Sequence, residues 1–287
     1  MTSPLLWHYT TTGGALGILQ SRSLRASDIR FLNDAQEYDL AVQTLRRVMR
    51  DETERDSVEL AAELCERIEA ALDGGSRPYQ LSGAKEYGHF AACVSETEDD
   101  LGQWRGYADG GGFALGFDRN LLESIATANG FRLVKCVYST AEHAELLREP
   151  FVSERDSMRP ELEDHWHKAV NRAAAGVLDE FDKLAPRIKH QAFSAEAEWR
   201  IVRGPLPYDA ANAAVIRHRP GKSLPIPYIE LPLAGRDGTP LIRCITLGPT
   251  PHPALASTAI RHAAIASGLA DEHSLEVRVT RAPYRSW

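Results

Sequence analysis

The stretch Ser194–Val202, SAEAEWRIV, sets two carboxylates one residue apart and runs directly into an apolar segment. Extended backbone sends alternate side chains to opposite faces. Glu196, Glu198 and Arg200 then share one face, and Trp199 and Ile201 anchor the other. Like charges held close raise each other's pKa and a guanidinium lowers it, which tunes a carboxylate for chemistry. A solvated edge strand carrying a surface salt bridge explains the same residues without any chemistry. The rest of the chain has to decide between them.

The chain has 287 residues, 43% hydrophobic and 25% charged, the balance of a globular protein able to bury a sizeable core. A formal net charge of -7 argues against coating nucleic acid or an anionic membrane, although a local basic cleft stays compatible with it. Cys65, Cys93, Cys136 and Cys244 are far apart and contain no CxxC, so reduced, mostly buried thiols are expected rather than zinc ligands or a disulfide framework. The N-terminal MTSPLLWHYT lacks a basic stretch followed by a long apolar run, and no window is long enough to span a bilayer. The expected location is cytoplasmic.

Working outward, LLWHYT reads as a buried strand, and Ala15, Leu16, Ile18 and Leu19 form a compact helix that Thr11 or Thr12 can cap. LRASDIRFLND reads as extended and then polar. One helical stripe runs through Leu40, Leu45, Val48 and Met49, and a second through Leu60, Leu64, Cys65, Ile68 and Leu72 to Gly74. GHFAACVS, GGFALGF and LVKCVYS read as strands, followed by a long helical pattern from Met158 to Ala185. EWRIV, YIELPL and LIRCITLG are further strands, LASTAIRHAAIAS is a helix closed by Gly268, and LEVRVTR is a last strand. Strands and helices do not alternate regularly, so the layout is α+β, one domain with a helical insertion at about 35–75 and a second helical segment at about 158–185.

Several motifs each have a plain structural reading beside a functional one. His8 and Thr10 share a strand face opposite Trp7 and Tyr9; the pair can bind a sugar hydroxyl and an amide, while a lone histidine is more often a satisfied core residue. In FLNDAQEY, helix capping accounts for Asp34 and Glu37 and leaves Asn33 as a candidate ligand contact. Ser95 ends a buried strand as either a cap or a contact. Trp104, Arg105 and Tyr107 stand just before a glycine run that suits either close ligand approach or a tight turn. No Rossmann, P-loop, HExxH or GxSxG pattern is present, and no metal is expected.

Taken in order, WHYT, FLNDAQE, CVSETEDDLGQWRGYADGGGFALGF, IKHQAFSAEAEWRIV, LGP and RAPYR resemble, over nearly the whole chain, the bacterial family known as domain of unknown function 2971. The first-strand H-x-T, the serine-ended central strand and the late E-x-E also resemble, more loosely, the ADP-ribosyltransferase fold, a split mixed or antiparallel sheet. The serine is not inside an S-T-S, and the helices between Ala35 and Leu72 form a long insertion relative to that fold. The resemblance implies NAD as substrate. His8 and Thr10 would hold NAD, Ser95 would support the nicotinamide ribose, Glu198 would be the catalytic acid, and Glu196 would engage the acceptor.

Cleavage of the nicotinamide–ribose bond passes through an oxocarbenium-like state that a carboxylate stabilises. On this reading Tyr9 or Tyr107 stacks on nicotinamide, and Arg105 or Arg200 grips the pyrophosphate. Asn33 and Trp104 complete the candidate contacts. The expected function is transfer of ADP-ribose to an unknown macromolecular or small-molecule acceptor, or to water, in a toxin or antiphage setting. Two alternatives stand beside it. One is a nucleotide-sensing or partner-binding module without chemistry, favoured if Arg200 seals Glu198. The other is a nucleic-acid-directed enzyme using a basic cleft of Arg105, Lys189, Arg200 and Arg285.

Overall fold

The computed structural model describes residues 3–32, 36–55, 59–73, 87–108, 111–158, 166–234 and 239–282. The first half of the chain runs β1 (Leu5–Thr11), α1 (Thr12–Ser21), β2 (Ser23–Asp28), α2 (Gln36–Arg55), α3 (Glu59–Asp73), β3 (Tyr87–Ser95), α4 (Leu101–Tyr107), β4 (Gly112–Asp118) and α5 (Arg119–Ala128). The second half runs β5 (Arg132–Lys135), α6 (Thr140–Ser157), α7 (Trp166–Leu184), β6 (Glu198–Pro207), β7 (Arg217–Pro220), β8 (Pro225–Pro232), β9 (Ile242–Leu247), α8 (Pro253–Ser267) and β10 (Glu276–Val279). The class is α+β, built on one mixed sheet.

The sheet order is β10-β9-β4-β1-β3-β2-β8-β7, and β6 branches from β3 to carry β5. All pairings are antiparallel except β9 with β10. β3 is the branch point. One of its edges is zipped to β6 over most of its length, whereas the other is shared between β1 and β2. β1 meets it only at Trp7 opposite Ser95, and β2 only at Ser27 opposite Ala91 and Asp28 opposite Phe90. The two strands therefore diverge, and a gap opens in the sheet between them.

The period-2 patterns explain the layers. Leu6, Leu24, Ala26, Phe90, Leu115, Trp199, Ile201 and Ile229 belong to one buried core on the sheet. Complete burial of a side chain such as Ile201 contributes about 1.5–3 kcal/mol before entropy is counted. The opposite face of β1 carries Trp7 and Tyr9, which join Trp104 and Ala108 of the α4 segment in a smaller cluster. Tyr9 and Trp104 meet edge to face with ring centroids 4.8 Å apart.

A separate core unites the helices. Leu45, Val48, Met49, Leu64 and Ile68, on the two stripes read from the sequence, pack against Leu147 and Phe151 of α6 and Val170, Val177 and Phe181 of α7. α2 and α3 fall within the stretch 35–75 and α7 within 158–185, with residues 35, 56–58, 74–75 and 159–165 outside the described set. α6 and α5 were not anticipated. α6 starts from a capping box, Ser139 with Glu142, and continues through Pro150.

Backbone crowding explains part of the glycine run before β4. Gly111 has φ 105°, a conformation that L side chains rarely adopt. A Cβ on Gly112 would lie 2.2 Å from the Thr10 carbonyl oxygen and 2.7 Å from Ala108 Cβ. Gly112→Ala is therefore expected to force β1 and β4 apart and to destabilise the protein by about 1–3 kcal/mol, read from the urea midpoint. An unchanged midpoint would show that the strands shift freely.

Candidate functional site

The gap between β1 and β2 is the mouth of a cleft of about 390 Å³, within the range of small-molecule sites. β1 supplies His8 and Thr10, and the small-residue face of α1 supplies Gly13, Gly14 and Gly17. β3 lines it from Ala91 to Ser95, α4 contributes Gln103 and Tyr107, and Glu196 and Glu198 complete the acidic end. Arg25 of β2 and Arg219 of β7 line it as well. The helix beside the cleft starts where Thr11 accepts the Gly14 N–H, 3.1 Å away.

His8 is fixed by the gap itself. Its Nδ1 lies 2.9 Å from the Cys93 carbonyl, an acceptor only, so Nδ1 carries the proton and donates. Burial lowers the imidazole pKa, which the backbone bond partly offsets. The neutral ring then has Nε2 as an acceptor for a hydroxyl. Ser95 is spent locally: its hydroxyl donates to the Glu196 carbonyl at 2.7 Å and accepts the Thr97 N–H at 3.0 Å.

The two glutamates arrive by different routes. β6 begins at Glu198, so Glu198 and Arg200 share a face and Trp199 and Ile201 the opposite one, as alternation predicts. Glu196 lies outside the strand, ending a 3₁₀ turn over Gln191–Glu196, and Ala197 is left-handed at φ 42°. The extended reading of Glu196 is thus corrected. What brings the acids together is Lys189, whose Nζ donates to Glu196 at 2.7 Å and also to Glu198.

Glu198 is 4% exposed and its other oxygen accepts Arg200 Nε–H at 2.7 Å. Arg200 also donates to the Pro186 carbonyl at 2.9 Å and to Glu37. The Lys189 ammonium lies 3.5 Å from Glu37. Glu37 thus reaches from α2 into this cluster, beyond the capping role that its sequence position suggests. Three carboxylates surround two cations on the seam between sheet and helices.

Burial opposes ionisation of Glu198, but Arg200 and Lys189 outweigh it and hold the carboxyl down to about 2. Burial pushes Glu37 upward against the same cations. Burial disfavours the Lys189 ammonium, yet Glu198 and Glu196 move its pKa upward on balance. Cys93, whose thiol bonds Glu198, is pushed well up by burial and by that acid, so it is a poor nucleophile at neutral pH.

These shifts set an acid limb for stability. His8 is depressed, so the unfolded chain takes up a proton near the ordinary 6.5 that the folded chain refuses; its contribution is lost as pH falls below that value. Glu198 is depressed from 4.5 to about 2, so its contribution is present above 4.5 and lost between those values. Glu37, raised, works in the opposite direction. Urea midpoints are expected to fall in two steps, first below about pH 6.5 and more steeply below about pH 4.5. A midpoint flat from about pH 7 to about pH 5 would contradict the His8 assignment, and one flat from about pH 4.5 to about pH 2 the Glu198 assignment.

The remaining predicted contacts divide. Tyr107 lines the cleft and is 38% exposed, free to offer its ring. Tyr9 reaches the cleft lining, but its hydroxyl ties down the loop after β3 by donating to the Thr97 carbonyl at 2.7 Å and accepting the Asp100 N–H at 3.1 Å. Trp104, 1% exposed, donates to Asp99 at 2.6 Å and does not line the cleft. Arg105 does not line it either, and Arg200 lies behind Glu198 in the ion cluster, so neither is placed to grip a pyrophosphate.

Asn33 and Arg285 lie outside the described residues. With Lys189 and Arg200 enclosed by acids, the basic cleft drawn through them and Arg105 does not form. Arg25, Arg219, Glu37 and the bridging role of Lys189 were missed. The alternation Ser23, Arg25, Ser27 was the available signal for Arg25. Among the described residues, no group of three or more His, Cys, Asp or Glu is placed to hold a metal, and no helix is long and apolar enough to cross a membrane.

A sheet split at its centre, with neutral histidine on one lip and ionised glutamate at the base, defines an α+β protein with a cleft of small-molecule size. Residues 103–201 match the model of the family described as "Protein of unknown function (DUF2971)". The matched stretch holds Tyr107, Lys189, Glu196 and Glu198, and leaves His8 and Thr10 outside it. No curated protein and no solved structure matches the chain.

Proposed function

We propose that this cleft binds NAD and that the chain cleaves its nicotinamide–ribose bond, passing ADP-ribose to an acceptor or to water. One observation carries the reading: Glu198, buried and ionised, lines the same cleft as Glu196, His8 and Thr10. In the reaction the C1′–N1 bond breaks and its electron pair leaves with nicotinamide. Positive charge grows on the ribose, and the Glu198 carboxylate stabilises it. His8 Nε2 accepts from a ribose hydroxyl, and the Tyr107 ring packs on nicotinamide. The acceptor oxygen bonds C1′ and gives up its proton to Glu196.

A second reading has its own support. Both Glu198 oxygens already accept from a cation, the seal expected of a module that binds nucleotide without turning it over. An ionised carboxylate offers about four acceptor positions, so the seal leaves room for a ribose hydroxyl. Calorimetric titration with NAD, run beside nicotinamide release, separates the two. Binding with release supports the enzyme, and binding without release supports the module. Absence of both overturns the NAD assignment.

A further inference from the structure

The acids occupy one end of the cleft, and its other wall carries charge of the opposite sign. Ser23, Arg25 and Ser27 alternate along β2 on the face opposite the buried Leu24 and Ala26. Strand β8 lies between β2 and β7, and Arg219 reaches across it to Ser27, donating to the hydroxyl at 3.3 Å. Ser27 accepts in that bond, so its own proton is available to a ligand.

Neutralisation distinguishes these two arginines from their neighbours. Glu230 faces Arg25 across the strands, yet its carboxylate is taken by Arg217 at 3.1 Å. Arg30 is likewise paired with Asp28 at 2.7 Å. Among the described residues no carboxylate forms an ion pair with Arg25 or Arg219. Arg25 instead lies over the Tyr228 ring, 4.9 Å from its centroid, which orients the guanidinium without cancelling its charge. Two oriented forks without counter-charge in a cleft wall, beside buried hydroxyl donors, suit an anion with several oxygens.

We propose that Arg25 and Arg219, with the Ser27 hydroxyl, form a phosphate subsite, so that the ligand of this cleft is a nucleotide whose phosphates lie at the β2–β7 wall. The inference rests on the cleft being a nucleotide site and not on the bond-breaking step. It also replaces Arg105 and Arg200 as the phosphate-holding groups.

ADP and adenosine are the probes, because they differ only in the phosphates, and calorimetry needs no turnover. Wild-type protein is expected to bind ADP at least about tenfold more tightly than adenosine, since one hydrogen bond to a charged group is worth about 10–100-fold. The preference should shrink about tenfold in Arg25→Gln and in Arg219→Gln and should weaken as salt rises. Arg243→Gln, which removes the same charge from β9, should leave it intact. ADP binding no tighter than adenosine, or a preference that survives loss of both arginines, overturns the subsite. A cleft that binds ADP in this way yet releases no nicotinamide from NAD leaves the subsite standing and removes only the catalytic reading.

Discussion

Arg200→Met is expected to lower unfolding free energy by about 3–5 kcal/mol, as the loss of one partner from a buried ion cluster does. Methionine matches much of the volume and restores none of the charge. The Arg200 guanidinium serves two buried acids, Glu198 and Glu37, and also satisfies the Pro186 carbonyl. Without it, Lys189 alone faces Glu198, Glu196 and Glu37. Glu37, already raised by burial, then takes a proton, which limits the loss but does not remove it. Urea denaturation at pH 7.5 measures the effect. A change below about 1 kcal/mol would mean that water reaches the cluster freely and that the ion pairs behave as surface contacts.

Glu198→Gln is expected to cut nicotinamide release by about 100- to 1000-fold while changing NAD affinity only a few-fold. The amide keeps the shape and one acceptor oxygen but loses the negative charge that matters only as the ribosyl cation develops. It also turns an NH2 toward Lys189 or Arg200, which are donors themselves, so a moderate fall in stability accompanies the substitution. The urea midpoint and the NAD affinity together show whether the cleft survives. A loss of turnover that tracked a loss of binding would reassign Glu198 to holding the fold.

Much of this was legible in the chain, for reasons that can be named. A strand has a side-chain period of two, so the sequence alone sorts Glu198 with Arg200, Trp199 with Ile201, and His8 with Thr10 to their faces. The stripes of α2 and α3 were readable because apolar residues recur at helical spacing on an otherwise charged background. Glu196 broke the pattern because Ala197 adopts a left-handed conformation, which no alanine advertises. The counter-charges were hidden by distance along the chain: Glu37 lies 163 residues from Arg200. Trp104 looked like a ligand contact because it sits beside a glycine run, but its indole is spent on Asp99 and on Tyr9. α6 was obscured by its polar faces and Pro150, although the Ser139–Glu142 capping box marked its start.

Charge placement unites the account. The split in the sheet is useful only if its two ends differ, and they do. The paired acids Glu196 and Glu198 lie at one end, and the guanidinium groups of Arg25 and Arg219, without an ion pair among the described residues, line the other wall. A dinucleotide with a cationic base at one end and a pyrophosphate in its middle matches that polarity. The measurement that bears most directly on the central claim is the initial rate of nicotinamide release at saturating NAD, wild type beside Glu198→Gln. The account predicts steady release from the wild type and at least about a 100-fold lower rate from the variant. Equal rates in the two proteins would contradict it.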